Sequence, residues 1–219
     1  MQFSAIITAG GTSSRFGGQT NKLLEKINNK PIIQYTVDAF VNSNVDEIII
    51  CSNSAIIEEL SDIFKTYDKV KIIEGGNSRQ ASVYNGLKVT KGDYILIHDG
   101  ARPMITPQII ENTKQMVIQK QAVSVMTKTV DTIKEVDENG KIIRTIDRSK
   151  LYNTQTPQAF EYNLIKNAHN KLQGQNFTDD AGMVEFLGHD VYIVVGDYRN
   201  IKVTTKSDLA LAEIYLKNL

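Results

Sequence analysis

Short apolar runs that alternate with helical patterns constrain the fold of this 219-residue chain more than any other feature. Each run is rich in β-branched residues and stops at a glycine or polar turn, as buried strands do. Strands that alternate with single helices pair in parallel through right-handed crossovers, which predicts an α/β fold with a three-layer Rossmann-like sheet. The predicted strands in this half of the chain are residues 4–8, 46–51, 70–73 and 94–97.

The loops that directly follow these strands are the candidate binding loops. Ligands of open α/β sheets bind beyond the carboxyl ends of the strands. The loops concerned are residues 9–22, 75–82 and 98–103.

The pattern changes after Ala122. Residues 130–136 and 141–146 flank Asp137-Glu-Asn-Gly140, which is typical of a hairpin turn. A hairpin that is polar on at least one face buries little of itself and usually packs on another body. We therefore predict one domain over residues 1–219, with a protruding β-arm at about 130–158 that is used in a homodimer.

The remaining elements are predicted from shorter patterns. The sequence Gln155-Thr-Pro-Gln158 is interpreted as a turn. The predicted helices are residues 79–88, 107–118, 161–172, 178–187 and 207–216, and the last strands are 191–195 and 201–203.

Composition excludes several classes of function. Lys and Arg number 25, and so do Asp and Glu, so the balanced charge gives no support for nucleic acid or an anionic membrane as a partner. Cys51 is the only cysteine, which excludes an internal disulfide and a cysteine-rich metal site. The apolar N-terminal segment is too short for a signal peptide. We expect a cytoplasmic protein.

The first loop, from Ala9 to Lys22, suits a polyphosphate ligand. It includes Gly10 and Gly11, and its glycine and hydroxyl residues allow backbone N–H groups to crowd phosphate oxygens. Arg15 and Lys22 add the positive charge that stabilises a departing pyrophosphate. The chain lacks the Walker spacing G-x-x-x-x-G-K-[ST] and the fingerprint G-x-G-x-x-G, so an ATPase P-loop and an NAD-dependent oxidoreductase are disfavoured.

Asp99, in His98-Asp-Gly-Ala-Arg102-Pro103, is the candidate metal ligand. One carboxylate together with triphosphate oxygens is the usual way in which Mg²⁺ is held. A turn-capping role for Asp99 remains an alternative. His98 is interpreted as structural, because no second His or Cys stands at ligand spacing.

Two further cations are candidate phosphate ligands. Lys202 lies in a short apolar stretch, where a lysine usually pairs with an anion. Arg148 could bind phosphate with a bidentate fork or lie exposed on the arm. Residues 178–180, Thr-Asp-Asp, are interpreted as a helix cap with an acidic first turn.

Taken together, these motifs resemble those of the methylerythritol phosphate cytidylyltransferases nearly end to end. The matching segments, in order, are the 9–22 loop, Gly75-Gly76-Asn-Ser-Arg79-Gln-Ala-Ser82, His98-Asp-Gly-Ala-Arg-Pro103, Val130-Asp-Thr132-Ile-Lys, Asp147-Arg148, Gln155-Thr-Pro-Gln158, Thr178-Asp179 and Gly196-Asp-Tyr-Arg-Asn-Ile-Lys202.

The resemblance implies a role for each matching residue, with CTP and a sugar-alcohol phosphate as substrates and Mg²⁺ or another divalent cation as cofactor. Arg15 and Lys22 would bind the CTP phosphates, with Asp99 on the metal. Ser82 and the backbone of Ala9, Gly10, Gly11, Gly75 and Gly76 would bind the nucleotide. Lys202 and Arg148 would bind the acceptor phosphate. Arg102, Thr132 and Thr178 would complete the acceptor pocket, with the arm residues donated by the other subunit.

The chain departs from the family pattern at Ser13, where glycine is usual, at Asn21, where proline is common, and at Gly100, where many members have alanine. Two alternative functions stay open. The first is a ribitol-5-phosphate cytidylyltransferase, an enzyme class that shares the fold and most motifs. The second is a nucleotide-binding domain without catalytic activity.

Overall fold

The computed structural model describes residues 1–11, 16–17 and 21–217. Its centre is a seven-stranded sheet. The strands, with two short hairpins outside the sheet, are β1 Phe3–Ala9, β2 Lys26–Ile27, β3 Lys30–Pro31, β4 Glu47–Ser52, β5 Val70–Glu74, β6 Tyr94–Asp99, β7 Ala122–Lys128, β8 Lys134–Val136, β9 Ile142–Thr145, β10 Tyr152–Glu161 and β11 Tyr192–Val195.

Seven α-helices are described. They are α1 Ile32–Val41, α2 Ile57–Phe64, α3 Arg79–Leu87, α4 Pro107–Lys120, α5 Tyr162–Lys171, α6 Asp180–Phe186 and α7 Lys206–Lys217. Thr106 caps α4 as its sequence predicts, since its side chain accepts a hydrogen bond from the Ile109 N–H and Pro107 follows at once.

The sheet order is β11-β7-β10-β6-β1-β4-β5. β10 runs antiparallel to both of its neighbours, whereas the other strand pairs are parallel. β1 pairs with β4, the next strand of this sheet along the chain, and with β6 on its other side, so the strand order reverses at β1. Crevices at such reversal points are where open α/β sheets bind ligands.

Two apolar cores cover the two faces of the sheet. One is built on α1, α2 and α4, with Phe40, Leu60 and Ile110 fully buried. The other is built on α3, α5 and α6, with Leu87 and Ile165 fully buried. The three-layer α/β architecture predicted from the sequence is confirmed.

The middle of the chain differs from the sequence-based prediction. β7 and β10 were not predicted, and the turn proposed at residues 155–158 is wrong, because these residues lie inside β10. The ladder between β10 and β7 shifts register between Thr154 and Gln158, where the peptide bond between Thr156 and Pro157 is cis. Residues 152–158 therefore belong to the central sheet and not to the arm.

The β-arm itself is a small separate hairpin. Among the described strands, β8 and β9 pair only with each other. Gly140 in their turn has a φ of +80°, a conformation that glycine adopts without strain. The strand predicted at residues 201–203 does not form, although the Val203 N–H donates to the Ala101 carbonyl at 2.8 Å.

Candidate active site

A cavity of about 370 Å³ opens at the carboxyl ends of β1, β5 and β6. The predicted site residues Gly10, Gly11, Lys22, Gly76, Ser82, Asp99 and Lys202 line it, together with Thr8, Leu23, Asn77, Ser78, Arg79, Gly100, Ala101 and Thr204. The three loops that the sequence marks as binding loops therefore meet at one crevice.

Backbone crowding explains the glycine pair at the start of the second loop. A Cβ on Gly76 would lie 2.3 Å from the Cβ of Ala81, and one on Gly75 would lie 2.8 Å from the Ser82 hydroxyl. The loop can therefore fold against the first turn of α3 only without these side chains. Gly75 is also held to β4, because its N–H donates to the Ser52 carbonyl at 2.6 Å.

Ser82 fastens this loop. Its hydroxyl accepts from the Gly76 N–H at 3.0 Å and donates to the Ser78 carbonyl at 2.8 Å, and the residue is buried. The hydroxyl thus holds the backbone of the loop in place. Ser82 can make this contribution without contacting ribose or cytosine itself.

The Asp99 carboxylate is surrounded by cations. Its Oδ2 lies 2.9 Å from Lys202 Nζ and 3.4 Å from Arg102 Nε, and its Oδ1 lies 3.4 Å from Arg79 Nε. Burial alone would raise the pKa of Asp99, but the three positive charges outweigh it and hold that pKa well below its ordinary range. Asp99 is therefore an anion, and the cations around it exceed its charge.

The backbone of Asp99 is held from the other side of β6. Its N–H donates to the Thr156 hydroxyl at 3.1 Å, and that hydroxyl is 3.0 Å from Nδ1 of His98. His98 is fully buried, and burial lowers its pKa from 6.5 to about 3. His98 is thus neutral and structural, as the sequence suggests.

Asn21, one of the departures from the family pattern, connects the two ends of the first loop. Its side-chain amide donates to the Gly11 carbonyl at 3.3 Å, and its carbonyl oxygen accepts from the Leu23 N–H at 3.0 Å. The second bond caps the short 3₁₀ helix that begins at Lys22. Asn21 thereby sets the position at which Lys22 enters the cavity.

Several predicted residues lie elsewhere. Arg15 and Ser13 fall outside the described residues. Ala9 and Gly75 are adjacent to cavity-lining residues but do not line the cavity. Arg102 supports Asp99 and donates to the Asn200 carbonyl at 2.8 Å. The interpretation of residues 178–180 as a helix cap with an acidic first turn is confirmed, since Asp179 caps α6 and Asp180 follows it, while Thr178 is exposed.

Arg148 and Thr132 lie on the arm and are exposed. The Arg148 guanidinium donates to the Val130 carbonyl. Neither residue lines the cavity of its own chain.

Arg79 is the residue whose role the sequence did not reveal. It lines the cavity next to Asp99 and forms a 2.6 Å ion pair with the buried Asp180. The motif containing Arg79 was recognisable, but its partner lies in α6, and only the folded chain brings the two together.

The described residues offer one carboxylate at the cavity wall that suits a divalent cation. Within residues 1–11, 16–17 and 21–217, no three His, Cys, Asp or Glu side chains are placed to hold a metal together. Mg²⁺ commonly binds through one or two carboxylates with substrate phosphates and water. The ionised Asp99 at the cavity wall meets that requirement.

No helix in the described part of the chain combines the length and apolar character needed to cross a membrane.

Comparisons with known proteins agree with this geometry. Residues 3–218 match the family model "IspD: 2-C-methyl-D-erythritol 4-phosphate cytidylyltransferase". Proteins of that name from Clostridium beijerinckii and Clostridium botulinum (strain 657 / Type Ba4) are 41% and 43% identical to the chain. The alignments cover 99% of this chain in both cases, and 99% and 98% of those proteins.

A solved structure is similar over the same length. The 4-diphosphocytidyl-2C-methyl-D-erythritol synthase from Anaerococcus prevotii superposes with a TM-score of 0.88 at 31% identity, covering 99% of this chain and 98% of that one. The corresponding Francisella tularensis structure gives 0.82 at 28% identity, with 98% and 99% coverage.

Proposed function

The chain belongs to the 2-C-methyl-D-erythritol 4-phosphate cytidylyltransferase family, and from this premise we propose how its residues perform the reaction. It is a nucleotidyltransferase that moves CMP from CTP to methylerythritol phosphate, in isoprenoid precursor biosynthesis. The observation that carries the residue assignment is the meeting of Lys22, Ser82, Asp99 and Lys202 in one cavity.

The nucleotide end of the cavity is assigned to the Gly75–Gly76 loop. The geometry that supports this is the backbone approach to α3 and the bond from the Gly76 N–H to Ser82. A loop whose N–H groups are already bonded within the protein has a fixed backbone, and it can present its carbonyl groups to a pyrimidine edge at little entropic cost. Gly10 and Gly11 follow β1 and line the cavity, and their backbone would bind the ribose and the first phosphates. Ala9 ends the strand that positions them.

The triphosphate and the acceptor phosphate require the cationic part of the cavity. Lys22 lies on the cavity wall, and Arg15 belongs to the same loop. An oxygen of the acceptor phosphate attacks the α-phosphorus, the bond to the β-phosphate oxygen breaks, and pyrophosphate leaves. The acceptor oxygen is already anionic, so positioning and charge stabilisation supply the catalysis and no general base is needed.

Lys202 is assigned to the acceptor phosphate. Its ammonium group is bonded to Asp99 but stays partly exposed to the cavity, with 38% of the side chain accessible. Arg102 is assigned to the support of Asp99, and Thr178 to the rim of the acceptor pocket.

Mg²⁺ or another divalent cation is proposed as cofactor, with Asp99 as its protein ligand. When bound, it would neutralise phosphate charge and polarise the α-phosphorus. Lys22 and the glycine backbone would still orient the triphosphate.

We further propose a homodimer in which the arm of one subunit brings Arg148 and Thr132 to the acceptor end of its partner's cavity. The arm and the segment leading into it support this proposal with five exposed apolar side chains, namely Val130, Ile133, Val136, Ile142 and Ile143. Solvent exposure of so many large apolar groups in one short stretch of chain is unfavourable and is relieved in an interface. A cytoplasmic location, with no nucleic acid or membrane as partner, is proposed with it.

Neither alternative gains support. The relatives carry the methylerythritol phosphate name and not the ribitol phosphate one, and Lys22, Asp99 and Lys202 would not all be needed in a non-catalytic domain. The direct test is ³¹P NMR of CTP, Mg²⁺ and methylerythritol phosphate with the protein. Paired diphosphate resonances of CDP-methylerythritol and a pyrophosphate signal are expected, and unchanged CTP would reject the assignment.

A further inference from the structure

We propose that Asp180 is a positioning residue that holds the Arg79 guanidinium back from Asp99, and so leaves one Asp99 carboxylate oxygen available to a divalent cation. The inference rests on the proposed use of Asp99 as the metal ligand. It assigns a purpose to a buried ion pair that takes no direct part in the reaction.

The distances around Arg79 are unequal. Arg79 Nη1 lies 2.6 Å from Asp180 Oδ2, whereas Arg79 Nε lies 3.4 Å from Asp99 Oδ1. Charge-assisted hydrogen bonds between nitrogen and oxygen are typically about 2.7–2.9 Å long. The guanidinium is therefore firmly bonded to Asp180 and only loosely associated with Asp99.

The two oxygens of Asp99 are also unequal. Oδ2 accepts from Lys202 at 2.9 Å. Oδ1 has only contacts of 3.4 Å among the described residues, from the Thr8 hydroxyl and from Arg79. Oδ1 is thus the less engaged oxygen, and a guanidinium free to move would occupy it.

Asp180 is fixed firmly enough to act as this restraint. Its side chain is 1% exposed, and its Oδ1 lies 3.0 Å from Nε2 of His169. The backbone N–H groups of Asp180 and Ala181 both donate to the Gln158 side-chain carbonyl at 3.0 Å. The restraint is therefore anchored in β10 of the central sheet.

Charge supports the same assignment. Burial alone would raise the pKa of Asp180, but the Arg79 charge and the His169 hydrogen bond outweigh it and leave that pKa below its ordinary value. A buried carboxylate that stays ionised can compete with Asp99 for the guanidinium. An asparagine of the same shape cannot compete, because it lacks the charge.

The test measures how strongly a metal promotes CTP binding, without turnover. The quantity is the Kd for CTP in EDTA divided by the Kd in saturating Mn²⁺, by calorimetry with no acceptor present. In Asp180→Asn, Arg79 moves onto Asp99, and this ratio should fall about tenfold, the equivalent of roughly 1.4 kcal/mol of lost coupling. Adding Arg79→Gln to Asp180→Asn removes the competitor and should restore most of the ratio.

The matched control is Lys114→Met, which removes another ion pair, 2.9 Å long, between a buried lysine and a partly exposed glutamate on α4. It should leave the ratio unchanged. If Asp180→Asn fails to fold, His169→Phe loosens the same carboxylate and should lower the ratio about threefold, a coupling loss below 1 kcal/mol.

An unchanged ratio in Asp180→Asn, or a reduced one that Arg79→Gln does not restore, would overturn the inference. Failure of the wild-type protein to release pyrophosphate would instead reject the proposed function. The two failures are distinguishable because the binding ratio needs no chemistry.

Discussion

The ammonium group of Lys202 lies 2.9 Å from the Asp99 carboxylate, although the two residues come from opposite halves of the chain. Both line the cavity, and the hydrogen bond from the Val203 N–H to the Ala101 carbonyl holds the two segments together. Lys202 thus stands where it can contact a protein anion and a substrate phosphate at once.

Lys202→Met should lower kcat by about a hundredfold or more, because charge that stabilises the transition state is lost. Stability should change by less than about 1 kcal/mol, since the pair is partly exposed and Asp99 keeps two arginines. Steady-state kinetics and urea unfolding give both quantities. The control is Lys206→Met, at an exposed position nearby, and equal losses in both variants would count against the assignment.

Ser82→Ala should raise the KM for CTP about tenfold, since the Gly76 N–H loses its acceptor and the loop loses its fixed path. The substitution should change KM more than kcat, because the Ser82 hydroxyl shapes the part of the cavity assigned to the nucleotide. The control is Ser61→Ala, which removes an exposed hydroxyl that donates to the Ile57 carbonyl of its own helix. A wild-type KM in Ser82→Ala would show that the loop holds its conformation without this bond.

These examples show what the sequence could and could not predict. Strands β1, β4, β5 and β6 follow from local apolar runs, and the cavity at their ends follows from topology. β10 was missed because Pro157 lacks an N–H group for a strand ladder, and because Gln155 and Gln158 interrupt the apolar pattern of a buried strand. Buried side-chain bonds such as that of Thr156 to His98 and that of Gln158 to Asp179 hold this segment in the sheet. Such partners are distant in sequence, so no local pattern indicates them.

His98 should make stability depend on pH. Because burial lowers its pKa from 6.5 to about 3, the unfolded chain binds a proton between these values that the native protein does not. The free energy of unfolding should therefore fall as pH falls from 6 to 4, by about 1.4 kcal/mol per pH unit from this group.

Urea unfolding at several pH values measures how the free energy of unfolding depends on pH. His98→Gln should reduce the slope of the free energy of unfolding against pH by about 1.4 kcal/mol per pH unit. Identical slopes in wild type and His98→Gln would mean that His98 is protonated in the native protein.

The arm should be required for dimer formation. Ile142→Glu and Ile143→Glu place charges where apolar side chains are 57% exposed in the single chain. If a second subunit covers them, sedimentation should shift from dimer to monomer at micromolar protein, with activity lost in parallel. Phe186→Glu, at a residue 64% exposed on α6, should stay dimeric. A wild-type protein that is monomeric at that concentration would reject the role of the arm.

The central claim is tested most directly by pyrophosphate release with CTP and Mg²⁺, comparing kcat/KM for methylerythritol phosphate with that for ribitol-5-phosphate. The account predicts a clear preference for methylerythritol phosphate, with Lys202→Met reducing both rates. A preference for ribitol-5-phosphate would contradict the substrate assignment, and no release with either acceptor would contradict the assignment of this cavity as an active site.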